Sequence, residues 1–284
     1  MATADLLRLI ALGAIWGASF LFMRIIAPVL GAAWSAELRV LIAGLALWLY
    51  ARARGEDVQL ARRWKPYAAI GATNCALPFL MFAFAAMTLP ASTLAVINAT
   101  SPLFGALFAT LFLGERLRPR QWVGCVVGFA GVGLLVGDVE VTNPSMFGWA
   151  VAAGLIGAAS YGIATIVARK WASDSAPLAA ATGTQLASAA LIAPLLPLMP
   201  PLAAPSIGVI GAVFAIALAS SGLGYLIYFR LLQNVGAVKT LTVTFLTPLF
   251  GIVWGAIFLA ERISFAMLGG ATLILAAIWM VNRR

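Results

Sequence analysis

The sequence predicts an all-α membrane protein, with ten transmembrane helices arranged as two inverted five-helix repeats around a central cavity. Three observations predict it. The first is composition: 63% of the 284 residues are hydrophobic and only 10% are charged, against ~45–50% and ~25% in a soluble domain. Mean hydropathy is +1.03. No soluble interior hides that much apolar surface, so the surrounding medium is lipid. The second is a stretch that occurs twice. Residues 102–116 read PLFGALFATLFLGER and residues 248–262 read PLFGIVWGAIFLAER, at a constant offset of 146. The third is the placement of Lys and Arg along the chain.

A spanning helix needs ~20 mostly apolar residues, and ten segments qualify in order. The first, 6–30, is too long for a signal-peptide core and reads as an uncleaved span. The second, 35–51, is opened by Arg39 and ends at the longest charged connector, RARGEDVQLARRWKP. The third is 67–88. The fourth, 91–113, follows Pro90 and carries the first copy of the repeated stretch. The fifth, 121–137, follows Arg116, Arg118 and Arg120. The sixth is 146–168, and the seventh, 178–198, ends on the rigid turn PLMPPLAAP. The eighth is 207–230. The ninth, 237–259, carries the second copy, and 264–281 is the tenth.

Charge sets the orientation. With the N-terminus in the cytoplasm, all of the 18 Lys and Arg except Arg24, Arg39 and Arg262 fall on the cytoplasmic side. The loops near Pro90, Asp138 and Pro200 hold none. That bias predicts both termini inside. Ten spans give five per half, and an odd number inverts one half relative to the other. The halves are 1–138 and 146–284, in a single integral membrane unit. Accordingly Glu115-Arg116 falls on the cytoplasmic side and Glu261-Arg262 on the opposite one. The repeat extends to Gly13/Gly154, Ile15/Ile156 and Ser19/Ser160 at an offset of 141, and to Phe79/Tyr225 and Phe82/Tyr228 at 146. Inverted repeats hold a substrate near the bilayer midplane, between the halves.

The stretch TrpGlyAlaSerPhe at 16–20, Arg39, and the run LPASTLAVINATSPLFGALFATLFLGERLRPRQWVG at 89–124, with its second copy over 233–270, resemble the EamA family of the drug/metabolite transporter superfamily. Within it, the chain resembles the aromatic amino acid exporters of bacteria. The resemblance implies a ten-helix carrier of the bacterial inner (plasma) membrane for small metabolites, often amino acids. The second half departs from the pattern. It has Gly157 in place of the Trp, Ala260 in place of the Gly, and no clear counterpart of Arg39.

The candidate site follows from polar and aromatic groups placed in mid-span. Asn98, Ser101 and Gly105 share one helical face, and Thr244, Thr247 and Gly251 repeat it 146 residues on. Trp16 and Ser19 lie on one face of the first span, with Tyr161 on the sixth. Phe79 on the third faces Tyr225 and Tyr228 on the eighth. Trp16 and Tyr161 lie deeper than the interfacial belt where such rings gather. The substrate-binding set is therefore Trp16, Ser19, Phe79, Asn98, Ser101, Tyr161, Tyr225, Tyr228 and Thr244. Pro102 and Pro248 are hinge candidates, because each removes a backbone hydrogen bond at matched positions.

This lining suits a hydrophobic or aromatic amino acid, moved by alternating access. A nucleotide-sugar or sugar-phosphate exchanger, or a proton-coupled drug exporter, is the alternative. The first of these needs cationic side chains in the cavity, and the mid-span positions read as neutral. All nine acids fall at loops or helix ends, which predicts facilitative movement without a proton relay. Arg24 is read as snorkelling to the external surface, with Glu37 or Asp138 as partners, and Arg39 as structural. Lys239 opens the ninth span on the cytoplasmic side, where either the positive-inside bias or a contact to a substrate carboxylate accounts for it. The chain has no His, and its two cysteines, Cys75 and Cys125, lie within apolar segments. No metal, cofactor or enzymatic chemistry is expected, and nucleic acid is excluded because the basic residues sit in short loops. The expected partners are a small-molecule substrate and the lipid bilayer, and a monomer is sufficient.

Overall fold

The computed structural model describes residues 2–140, 143–171, 176–240 and 242–282. Asp174, Arg283 and Arg284 lie outside them, as do the side chains of Arg169 and Lys170. The described residues are helical and contain no strand. Seven helical stretches are long and apolar enough to cross a membrane. Two shorter apolar helices, Val243–Leu259 and Phe265–Val281, accompany them.

The first helix, α1 (Thr3–Ala53), is broken at Gly31, where φ is 74° and ψ is 172°. That left-handed conformation suits a residue without a Cβ. The chain reverses there. Before the break, Asp5 accepts a hydrogen bond from Asn234, the Trp16 indole donates to the Ser220 carbonyl, and the Val29 carbonyl accepts from Leu202. After it, Arg39 returns to Ser221, and Leu47 clusters near Tyr225 and Phe229. The two arms therefore run in opposite directions along the same stretch of chain.

Two helices, α2 (Trp64–Gly71) and α3 (Leu77–Ala86), are joined through a π-helical turn at Ala72–Ala76. A tight turn at Ala99 and Thr100 separates α4 (Ala91–Asn98) from α5 (Ser101–Leu113). Then come α6 (Pro119–Gly137), α7 (Pro144–Trp171) and α8 (Pro177–Ile192). Proline begins α6 and α8, where its missing N–H has no intrahelical partner to lose. The Ser206 hydroxyl caps α9 (Ile207–Ala215) by accepting from the Val209 amide. A second π segment, Ile216–Leu223, leads into α10 (Gly224–Thr240). The chain ends in α11 (Val243–Leu259) and α12 (Phe265–Asn282).

Matched positions share local geometry. Both α5 and α11 stop on a left-handed residue, Gly114 (φ 68°) and Ala260 (φ 53°). Each donates its amide back to the residue five earlier, Ala109 and Gly255. Shifted by 146, the π turn at 72–76 falls on 218–222, inside the second π segment. Close crossings also match. A Cβ on Gly162 would meet Gly105 and Phe104, joining α7 to α5, and one on Gly17 would meet Phe250 and Gly251, joining α1 to α11.

Buried apolar side chains are distributed unevenly. One continuous cluster runs from Phe20 to Val40 of α1 through α3, α4 and α9, and seals the end of the bundle that holds Gly31. At the opposite end three clusters stand apart. Leu47, Tyr67 and Leu178 form one, Leu9, Leu12, Leu231 and Val243 another, and Leu103, Cys125, Ala277 and Val281 the third. The helices are thus packed as one body at the Gly31 end and as three groups at the end bearing the N-terminus.

Candidate substrate site

The first π segment places polar groups against α7, and the second places them against α1. A π turn adds a residue to the helical ladder and re-aims side chains, which is why such turns recur at functional sites. Ser160 donates to the Thr73 carbonyl in the first segment at 2.7 Å. In the second, Ser220 donates to the Ile15 carbonyl at 3.1 Å, and its own carbonyl accepts from the Trp16 indole at 3.2 Å. The Trp16 ring packs against Tyr228 at 5.5 Å and edge-on to Tyr225 at 6.4 Å. The Tyr225 hydroxyl accepts from the Asn74 amide at 3.2 Å and lies 3.7 Å from the Cys75 sulfur.

Arg39 sits beside this group. Its guanidinium carbon lies 3.7 Å from the centre of the Phe79 ring, and its Nε donates to the Ser221 hydroxyl at 2.9 Å. Tyr161 extends the aromatic wall by stacking on Phe82, which meets Phe20 edge-on. The Ser19 hydroxyl is buried nearby on α1 without a hydrogen-bond partner among the described residues.

Of the residues picked from sequence, Trp16, Tyr225 and Tyr228 pack together, Phe79 lies under Arg39 one turn from Phe82, and Tyr161 stacks on Phe82. Asn98 and Ser101 flank the α4–α5 turn, where the Ser101 hydroxyl donates to the Asn98 carbonyl at 2.6 Å. Both are half-buried, as is Thr244 on α11. Pro102 follows the turn as the second residue of α5, whereas Pro248 is inside α11. The backbone roles of the two prolines therefore differ.

Three charged residues depart from expectation. Arg24 does not snorkel. Its guanidinium donates to the carbonyls of Ala86 (2.9 Å) and Met87 (3.3 Å), satisfying the C-terminal end of α3. Glu37 does not pair with it: it is 4% exposed, with Oε2 buried and unpartnered among the described residues. The helix restarts immediately after Gly31, so Glu37 and Arg39 lie inside the bundle and not at its surface. Arg39 is about 12 Å along the axis from the break at ~1.5 Å per residue. The mid-span lining is thus not wholly neutral. A lone Arg within an apolar run was the available signal.

The sequence profile described as the EamA-like transporter family matches residues 4–137 and again residues 148–283. The chain belongs to this family. The transporter YvbV of Bacillus subtilis (strain 168) is 29% identical over 88% of this chain and 82% of its own. A protein of Streptantibioticus cattleyicolor described as a "probable terminal-alkyne amino-acid exporter" is 25% identical over 95% of this chain and 90% of its own. A solved crystal structure shares the fold, with a TM-score of 0.69 at 20% identity, covering 99% of this chain and 97% of that one. Membership of this family makes the chain a multi-pass membrane transporter, with a small-molecule substrate and the bilayer as its partners.

Proposed function

We propose that the chain is a secondary carrier that moves hydrophobic or aromatic amino acids out of the bacterial cytoplasm across the inner membrane. It does so as ten membrane passes in two inverted halves, 1–138 and 146–284, with both termini cytoplasmic. The observation that carries the substrate class is the cluster of aromatic and polar side chains at the two π segments. The rings of Trp16, Phe79, Tyr161, Tyr225 and Tyr228 lie among amide, hydroxyl and guanidinium groups from both halves. Aromatic faces cover an apolar side chain, and polar groups at half-helix ends meet the charged ends of a zwitterion. The amino-acid exporter among the relatives supports the same class.

The fold-back of α1 and the two shorter apolar helices raise the seven long stretches to ten passes. The matched left-handed caps, the matched π segments and the doubled family match support the repeat. Alternating access draws on the places where matched segments differ. The fourth pass is broken at Ala99–Thr100, while α11 runs through the equivalent position. An inverted pair that exchanges these shapes would close one end as it opens the other. In the proposed orientation the sealed Gly31 end faces outward and the divided end faces the cytoplasm.

Uptake of labelled phenylalanine by proteoliposomes tests the substrate. Tryptophan, leucine and phenylalanine should compete, and glucose 6-phosphate and UDP-glucose should not. Arg39 is the one Lys or Arg among the buried residues described. A phosphate dianion would leave charge uncompensated, at a cost of several kcal/mol. Strong competition by the phosphates would instead favour the exchanger.

The buried Glu37 carboxyl favours a second reading of the energetics, proton-coupled export, because the facilitative expectation assumed no embedded acid. An imposed pH gradient decides between them. Concentrative uptake that disappears in Glu37→Gln supports coupling, and uptake that ignores the gradient supports facilitation.

A further inference from the structure

We propose that Arg39 receives the carboxylate of the transported molecule, so that the carrier selects carboxylates over the corresponding amides and amines. This rests on the amino-acid reading above, and adds the residue that decides specificity.

A cation inside a membrane bundle is costly and ordinarily pairs with an acid or marks a substrate path. Arg39 is 6% exposed, and among the described residues no carboxylate lies within ion-pair distance of it. Its only hydrogen bond among them is from Nε to Ser221. Both terminal nitrogens are left over, and these are the pair that grips a carboxylate in two parallel bonds. The Phe79 ring beneath holds the guanidinium plane, and Ser221 fixes its rotation. Phe79 belongs to the first half and Ser221 to the second, so the charge sits across the boundary between them.

The pseudo-symmetry sharpens the point. At the 146 offset Arg39 maps onto Gln185, and its partners Phe79 and Ser221 map onto Tyr225 and Cys75. Gln185 is 0% exposed, and neither its Nε2 nor its Oε1 has a partner among the described residues. One half thus offers a cation where the other, at that offset, has a neutral amide and no second cation. Such a site suits a ligand with one anionic end.

The test is competition against labelled phenylalanine in proteoliposomes by phenylalanine, phenylalaninamide and phenethylamine. Wild type should prefer phenylalanine to the amide by at least ~30-fold, the scale of a buried charge pair. Arg39→Lys should narrow that preference. Arg39→Gln should bring the ratio close to one and raise KM by a similar factor. Ser221→Ala should raise KM for phenylalanine more than for the amide. A structural Arg39 would lower the yield of folded carrier without moving the ratio. An Arg39→Gln protein that keeps the wild-type ratio, or a wild type that shows no preference, would overturn the proposal. If Arg39→Gln does not fold, the wild-type ratio and the Ser221→Ala shift decide alone. If wild type moves no amino acid, the amino-acid reading fails separately. Thermal stabilisation of the detergent-solubilised protein by benzoate but not benzamide, weakened in Arg39→Lys, then upholds Arg39 as an anion site. No stabilisation by benzoate overturns it.

Discussion

Arg24 separates two accounts of a membrane arginine. If it capped nothing, Arg24→Ala would be nearly silent. It binds the Ala86 and Met87 carbonyls, and removing it leaves helix-end acceptors without partners. We expect the substitution to cost about 1–3 kcal/mol, read as a lower thermal midpoint in detergent with KM for substrate unchanged. Ala260 is a contrasting case. It holds a left-handed φ of 53° where the first half has Gly114, which costs an ordinary residue ~1–2 kcal/mol. Ala260→Gly should therefore raise the midpoint, and a lower midpoint would contradict the reading of this cap. The difference between Gly and Ala at this position is visible in the sequence, but its consequence depends on the left-handed φ that the fold imposes there. The partners of Arg24 were not legible, because backbone carbonyls at a helix end leave no trace in residue identity.

At the scale of elements, one polar connection reinforces the sealed end. The Glu261 carboxylate, just past α11, accepts from the Ala91 amide at 2.6 Å, the Ser92 amide at 2.9 Å and the Ser92 hydroxyl. It thereby caps α4, and an anion at a helix N-terminus is stabilised by the free amides and the dipole. Gly255 leaves room for it, since a Cβ there would meet the Glu261 carboxylate. Glu261→Ala should loosen α4. With Cys75 and Cys125 replaced, a cysteine introduced at buried Leu94 should then react several-fold faster with an impermeant maleimide from outside, and unchanged labelling would contradict the cap. The prolines belong to the same scale. Replacing Pro102 or Pro248 with Ala should change turnover more than KM, because a hinge shifts populations and not contacts. Native turnover in both variants would reduce the prolines to static features. The sequence made the matched GluArg pairs and prolines visible, since identity repeats at a fixed offset. It did not show that Glu261 reaches across to the other half, or that the two prolines sit in different backbone settings.

At the scale of the whole molecule, the inverted repeat and the orientation are tested together. Tags on both termini should report cytoplasm, and a reporter within 137–143 should report the outside. Opposite sides for the two termini would end the inverted arrangement. The membrane character and most helical stretches were legible, because apolar length and loop charge are one-dimensional signals. The interior chemistry was less so. The first two spans meet at Gly31 without a polar connector, so Glu37 reads as a helix-end acid, Arg39 as a structural residue opening the second span, and the cavity as neutral. The π segments were also hidden, since nothing in their composition distinguishes them from α-helix. The account stands or falls on carriage of an amino acid through one alternating site. Counterflow measures that directly: liposomes preloaded with unlabelled phenylalanine are diluted into a trace of labelled phenylalanine. A carrier should give a transient accumulation of label above equilibrium, absent when the liposomes are preloaded with glucose 6-phosphate. Simple equilibration without an overshoot, or an overshoot only with the sugar phosphate inside, would contradict it.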